Sequence, residues 1–285
     1  MGASRRMGRL RVARLEPSLR TCAPVSSAHE GGVAVVTGGN RGIGREIALG
    51  FARAGAALAI CGRDLSALAE VEAELRSNGG AALAAHCDVS DPKSVEAFGG
   101  AVLGELGTPT VVIAGSAIAG PTKPLHEIDP HEWNECVAID LTGVYLTFRR
   151  FIPAMLDRGS GSLIALSSMT GKRPLAGRTP YAASKLGVIG LVRTLALELG
   201  PHGIRVNSVC PGAVAGQRID RVLENQARVL GVGVDEARAR MTDPAALKRL
   251  VTAGEVVEAC LFLASDASSG ITGEDLNVTA GLVMY

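Results

Sequence analysis

Aromatic side chains are scarce in this chain: 3% of its 285 residues, with one tryptophan and three tyrosines. Lysine is scarce too, with five residues against 24 arginines. A tyrosine or lysine at a patterned position therefore stands out. No apolar run approaches the ~18 residues of a membrane-spanning helix. None of the six cysteines (Cys22, Cys61, Cys87, Cys136, Cys210, Cys260) belongs to a C-x-x-C pair, which argues against a zinc site. Most of the cysteines fall in apolar runs, Cys61 after Leu58-Ala59-Ile60 for example, and read as buried reduced thiols. The net charge of +1 is too small for a general nucleic-acid binder. A hydrophobic share of 47% is too large for a disordered chain, and the length can bury a sizeable core.

The charge that is present is unevenly spread. Residues 1–30 hold six arginines and two acids, a surplus of +4, so the other 255 residues carry −3. This basic, acid-poor, serine-containing leader has the marks of an organelle transit peptide and lacks the apolar stretch of a secretory signal. Two other readings stand beside it: an extension upstream of a true start at Met7, and a disordered basic arm. The expected location is cytoplasmic, or an organelle matrix if the leader is a transit peptide.

From Gly32 onward, apolar strands alternate with helical patterns. Val33-Ala34-Val35-Val36 reads as a buried strand, and 44–54 as a helix ended by Gly55. Strands follow at 57–60, 81–87 and 111–113, with helices at 65–77 and 92–106 between and after them. Helices are expected around 130–157, then a strand at 162–166, a long helix over 181–199 and a strand at 205–209. A helix at 255–263 and a strand at 274–278 close the chain. This alternation implies right-handed βαβ units in one α/β domain over 31–285, a doubly wound parallel sheet of about seven strands with helices on both faces. Residues 213–252 break the rhythm with short helical patterns, where a small substrate lid would sit.

Two constellations carry chemistry. Thr37-Gly38-Gly39-Asn40-Arg41-Gly42-Ile43-Gly44 joins the first strand to the first helix. Glycines there allow a tight turn and close approach to a pyrophosphate, and the helix N-terminus offers free N–H groups. Tyr181-Ala182-Ala183-Ser184-Lys185 opens the long helix, and residues four apart share a face. A phenol is a poor acid–base group near neutral pH, and a neighbouring ammonium favours its ionised form. The spacing Thr-Gly-x-x-x-Gly-x-Gly followed by Tyr-x-x-x-Lys resembles the short-chain dehydrogenase/reductase family, and over 31–285 the core keeps step with 3-oxoacyl-(acyl carrier protein) reductase-like members.

The resemblance implies a Rossmann fold and a hydride exchanged between a nicotinamide and a ketone or secondary alcohol. Tyr181 would give or take the proton, Ser168, 13 residues earlier, would hold the substrate oxygen, and Lys185 would orient the ribose. Ser167 is a neighbour, but the family spacing favours Ser168. Asp140, in Asp140-Leu141-Thr142-Gly143, occupies the place of the family's relay Asn; an ionised carboxylate can accept but not donate a hydrogen bond. The cofactor would be held by Gly38, Asn40, Arg41, Gly42, Ile43, Gly44, Arg63, Asp88, Val89 and Ala114, together with Pro211, Gly212 and Val214 beside the nicotinamide. Asp88 could equally be a helix cap, a role also open to Ser90 and Asp91. Gly62 stands where NAD-selective relatives carry a carboxylate, and Arg41 and Arg63 suit a 2′-phosphate, so NADP(H) is favoured, with NAD(H) possible and Asp64 the counter-argument. The usual Asn-Asn-Ala-Gly after the fourth strand is replaced by Ile113-Ala114-Gly115-Ser116.

The substrate would be a small carbonyl or alcohol. Lys172, Arg173, Arg178, Arg218 and Arg221 form a basic group that could bind an anion, and Arg149-Arg150 could meet an acyl carrier protein. Two alternatives remain: an NAD-dependent dehydrogenase of a small anionic hydroxy compound, and a cofactor-binding regulator without turnover. The family resemblance also implies a homotetramer or homodimer built through the long helices, with no nucleic-acid or membrane partner.

Overall fold

A computed structural model describes residues 29–285, so nearly all of the basic leader, with Met7 and Cys22, lies outside the described residues. Seven parallel strands form one sheet in the order β3-β2-β1-β4-β5-β6-β7. They are β1 (Val33–Thr37), β2 (Ala57–Gly62), β3 (Ala82–His86), β4 (Val111–Ala114), β5 (Gly161–Leu166), β6 (Ile204–Pro211) and β7 (Asp275–Val278). The order reverses between β1 and β4, which leaves a crevice beyond their carboxyl ends where doubly wound sheets bind ligands. β1 pairs with both neighbours along its length, Val35 opposite Ala59 and Val112.

Period-two alternation divides the apolar residues between the two faces. Ala34, Val36, Val111, Ile113, Ile164 and Leu166 meet one set of helices: α1 (Gly42–Arg53), α2 (Leu65–Ser77) and α9 (Ala253–Ala264). Val35, Val112, Ala114, Leu163 and Ala165 face the other set: α3 (Pro92–Glu105), α5 (Gly143–Arg158) and α6 (Thr179–Leu199). With few aromatics available, packing relies on small residues; a Cβ on Gly50 of α1 would strike the Val257 side chain of α9. α7 (Gln217–Leu230) and α8 (Val234–Thr242) form a separate apolar cluster with Met169, Ala213 and Val283. This is the segment expected to form a lid, and its base is pinned where Val214 pairs with Val251.

The expected elements are present, with local differences. β6 runs to Pro211, two residues past the expected end, because Pro211 still pairs with Val278. The helical stretch around 130–157 is not uniform. α4 (Pro130–Val137) passes through a π-helical turn, Ala138–Thr142, into α5. Such turns commonly mark functional sites, and this one carries Asp140.

Candidate active site

The glycine loop is shaped by close contacts. Gly38 (φ 73°) lies so near the turn after β4 that a Cβ would sit 2.9 Å from the Ser116 Cα, and one on Gly44 would run into the Gly38 carbonyl. At Gly42 (φ 55°), by contrast, nothing lies within 4 Å of a Cβ, so the loop is open on that side. Asn40 is buried against Gly62, Arg41 is exposed at the helix start, and Ile43 packs into the core. No side chain caps α1 and no acid lies in its first turn. Elsewhere α2, α3, α4 and α9 are each capped by their own Asp or Thr. The free N–H groups of α1, its positive dipole end and the open face at Gly42 fit a dinucleotide's pyrophosphate.

Beyond β2, a Cβ on Gly62 would meet Asn40 Oδ1 at 2.7 Å, which explains why the position carries no side chain. Asp64 accepts the Ser66 and Ala67 N–H groups as the cap of α2; the Ala67 bond chiefly holds its carboxyl below the usual range. Asp91, not Asp88, caps α3. Asp88 instead accepts from the Ser90 hydroxyl and N–H and lies 3.9 Å from the half-exposed guanidinium of Arg63. Val89 is buried against Gly143, and Ala114 ends β4. Thr37 Oγ1 receives the Gly115 N–H at 3.1 Å and the Ser116 N–H at 3.4 Å, so a side chain of β1 orders the turn from which the family's amides are missing. Pro211 ends β6, Gly212 lies tight on Thr279, and Val214 follows, bridged to Val251 ahead of α7.

Tyr181 and Lys185 project from the first turns of α6, both buried, with the Lys185 Nζ 5.7 Å from the phenol ring centroid. Lys185 donates to the Leu166 carbonyl at 2.9 Å, which leaves two of its three N–H groups for other partners. The Ser167 hydroxyl is committed to the Lys185 carbonyl at 2.7 Å. Ser168 differs: its Oγ accepts the Thr170 N–H at 3.1 Å, so its own proton remains to be donated. Asp140 is fully buried; Oδ1 accepts the Ile118 N–H at 2.8 Å, while Oδ2 has no hydrogen-bond partner and faces Lys185 Nζ at 3.9 Å. Burial pushes its pKa up, and Lys185, the Ile118 N–H, Arg218 and Arg178 pull it back.

A model of the enoyl-(acyl carrier protein) reductase family, within the short-chain dehydrogenase/reductases, matches residues 38–283. The chain is a short-chain dehydrogenase/reductase. It is 38% identical to cis-4-hydroxycyclohexanecarboxylate dehydrogenase of Sinomonas cyclohexanicum, over 87% of this chain and 95% of that protein. An actinorhodin polyketide ketoreductase variant solved with NADPH superimposes with a TM-score of 0.85 at 34% identity, covering 90% of this chain and 98% of that one. NAD+-bound xylitol dehydrogenase gives a TM-score of 0.86 at 27% identity, covering 88% and 99%. As a short-chain dehydrogenase/reductase, the protein is an NAD(P)-dependent oxidoreductase acting on carbonyl and CH–OH groups. Among the described residues no helix is long and apolar enough to cross a membrane, and no three potential metal ligands cluster.

The basic group expected near the substrate divides. Lys172 turns away to pair with Asp275 and bond the Asn277 side chain. Arg150 pairs with Glu96 at 3.1 Å, so of the Arg149-Arg150 pair only Arg149 is exposed. Arg178 and Arg218 instead come over the Tyr181 ring, their Cζ atoms 4.6 and 5.9 Å from its centroid. Sequence reasoning had these two only as members of a larger group. A further contributor, the Ile118 backbone, left no signal at all. Its N–H is held by Asp140, and its carbonyl accepts from Arg218 at 3.0 Å.

Proposed function

We propose that this short-chain dehydrogenase/reductase is an NADP(H)-preferring reductase of a small ketone, with Tyr181 as the proton donor and acceptor. The observation that carries the reading is Tyr181, buried at the start of α6, with Lys185, Arg178 and Arg218 gathered around its ring. When bound, the nicotinamide supplies two-electron exchange with the carbonyl carbon. Ser168 donates its free proton to the substrate oxygen. Lys185 lies beside the phenol ring and has N–H groups left for a ribose. Asp140 holds the Ile118 peptide and counters the Lys185 charge. The test is a panel of ketones and secondary alcohols with NADPH and NADH. Tyr181→Phe is expected to lose at least about 100-fold in kcat on every substrate turned over by wild type. Turnover retained in the variant overturns the assignment, and tight NADPH binding with no turnover on any substrate revives the regulator reading.

The cofactor preference is supported by the side-chain-free Gly62, by Asp64 being committed as a cap, and by Arg41 and Arg63 standing exposed near the same edge. Arg63→Ala is expected to raise the KM for NADPH about tenfold or more and leave that for NADH nearly unchanged. Equal use of both cofactors by wild type contradicts the preference.

Self-association is supported by an apolar groove of about 480 Å³ between α5 and α6, lined by Tyr145, Phe148, Ile152, Leu191 and Leu195. It lies on the outer faces of these helices. Gly190 lines the groove with open space at its Cβ, so Gly190→Glu adds charge without a clash. Light scattering should show this variant as a smaller species than wild type.

A further inference from the structure

Arg178 is 4% exposed, and its Nε and Nη1 find no hydrogen-bond partner. Burying a guanidinium without partners is costly, and burial indeed lowers its pKa. The obvious counter-charge does not serve it. Asp140, the buried acid of this region, is turned to the Ile118 N–H and to Lys185. Arg218, from the exposed start of the lid helix α7, reaches over the same ring, with Nη2 on the Ile118 carbonyl. Three cations thus surround Tyr181 against one carboxyl. The other basic residues of the same loop are used elsewhere, Lys172 on Asp275 and Arg173 along a cavity of about 250 Å³ under α8.

We infer that Arg178 and Arg218 form an anion seat beside Tyr181, and that the substrate carries a carboxylate close to the reacting carbon. Guanidinium forks match a planar carboxylate with paired N–H groups, and the dry setting strengthens the contact. The carboxylate would partner the donors Arg178 now lacks and offset the local surplus of charge. One guanidinium comes from the residue that precedes α6 and the other from the lid, so binding the anion would draw the lid over the site. The inference rests on Tyr181 being the acid–base group.

The experiment compares kcat/KM for acetoacetate and levulinate with that for their methyl esters, in wild type, Arg178→Met, Arg178→Lys and Arg218→Met. Binding of pivalate, a carboxylate with no ketone, is measured by calorimetry on the cofactor-loaded enzyme. Wild type is expected to favour at least one acid over its ester by about tenfold to a hundredfold, the range for a charge-assisted hydrogen bond. That ratio should collapse toward unity in Arg178→Met and shrink in Arg218→Met, with pivalate binding weakened in both. If Arg178→Met does not fold, Arg178→Lys and the exposed Arg218 position still report. An ester preferred by wild type, or an acid-to-ester ratio unmoved by the variants, overturns the inference. Equal loss on acid and ester in Arg178→Met means the guanidinium acts only on the phenol, and overturns it too. Turnover surviving in Tyr181→Phe while pivalate binding depends on Arg178 refutes the acid–base reading and not the seat.

Discussion

Replacing Asp140 separates the two tasks of its carboxyl. Asparagine keeps the acceptor for the Ile118 N–H and removes the charge facing Lys185; alanine removes both. A buried N–H left unpaired costs about 1–3 kcal/mol. Asp140→Ala should therefore be less stable than Asp140→Asn by up to that amount, about 2–12 °C in melting midpoint for a chain of this size. The asparagine NH2, turned toward an ammonium, subtracts from the difference and favours the lower end. The charge is read from pH. Burial raises the Asp140 pKa above its ordinary 3.8, so the folded state holds the proton more tightly than the unfolded chain does. The resulting stabilisation is complete below the unfolded value and is lost as pH rises through the native one. Asp140→Asn has no such titration. The unfolding free energy of wild type minus that of Asp140→Asn, from urea titrations followed by circular dichroism, should therefore fall as pH rises from the acid side. A difference that stays flat, or grows with pH, would refute the reasoning and mean that Lys185 outweighs burial.

Gly44→Ala forces a Cβ onto the Gly38 carbonyl, a backbone group that cannot swing aside. NADPH affinity by fluorescence titration is expected to drop at least about tenfold, with roughly 1–3 kcal/mol of stability lost to the clash. Thr252→Ala deletes one half of the capping box of α9, in which Thr252 and Glu255 satisfy each other's backbone N–H groups. It should cost about 1 kcal/mol, near 2–4 °C in the melt, and leave cofactor affinity untouched. Phe151→Ala removes a fully buried ring that meets Phe98 edge-on at 6.3 Å, and a loss of about 3–5 kcal/mol is expected by chemical unfolding.

What was legible in the sequence was what local chemistry decides. Helix α2 runs from Leu65 to Ser77 as predicted, because Asp64 caps one end and Asn78-Gly79-Gly80 stops the other. The buried strands and the short helices between 213 and 252 could be read for the same reason: periodicity and its interruption are written in neighbouring residues. Spacing favours Ser168 over Ser167; that the Ser167 hydroxyl is turned to the Lys185 carbonyl is a contact between the end of β5 and α6 that spacing does not show. The π-helical turn at Asp140 was not legible, since its carboxyl is held by Ile118, 22 residues away. Nor was the meeting of the buried Arg178 with Arg218, 40 residues further along, over the Tyr181 ring. Charges are easy to count in a sequence, but their partners are set by the fold.

Ile118 ties two parts of the molecule together through its backbone. Its N–H and its carbonyl lie in two successive peptide planes that meet at the Ile118 Cα. One end is gripped by a carboxyl inside the protein and the other by an arginine on a helix at the surface. Outward travel of α7 would free the carbonyl and leave Ile118 held at its N–H alone. Ile118 is thus the residue at which a buried carboxyl facing Lys185 and a helix at the surface share one stretch of backbone.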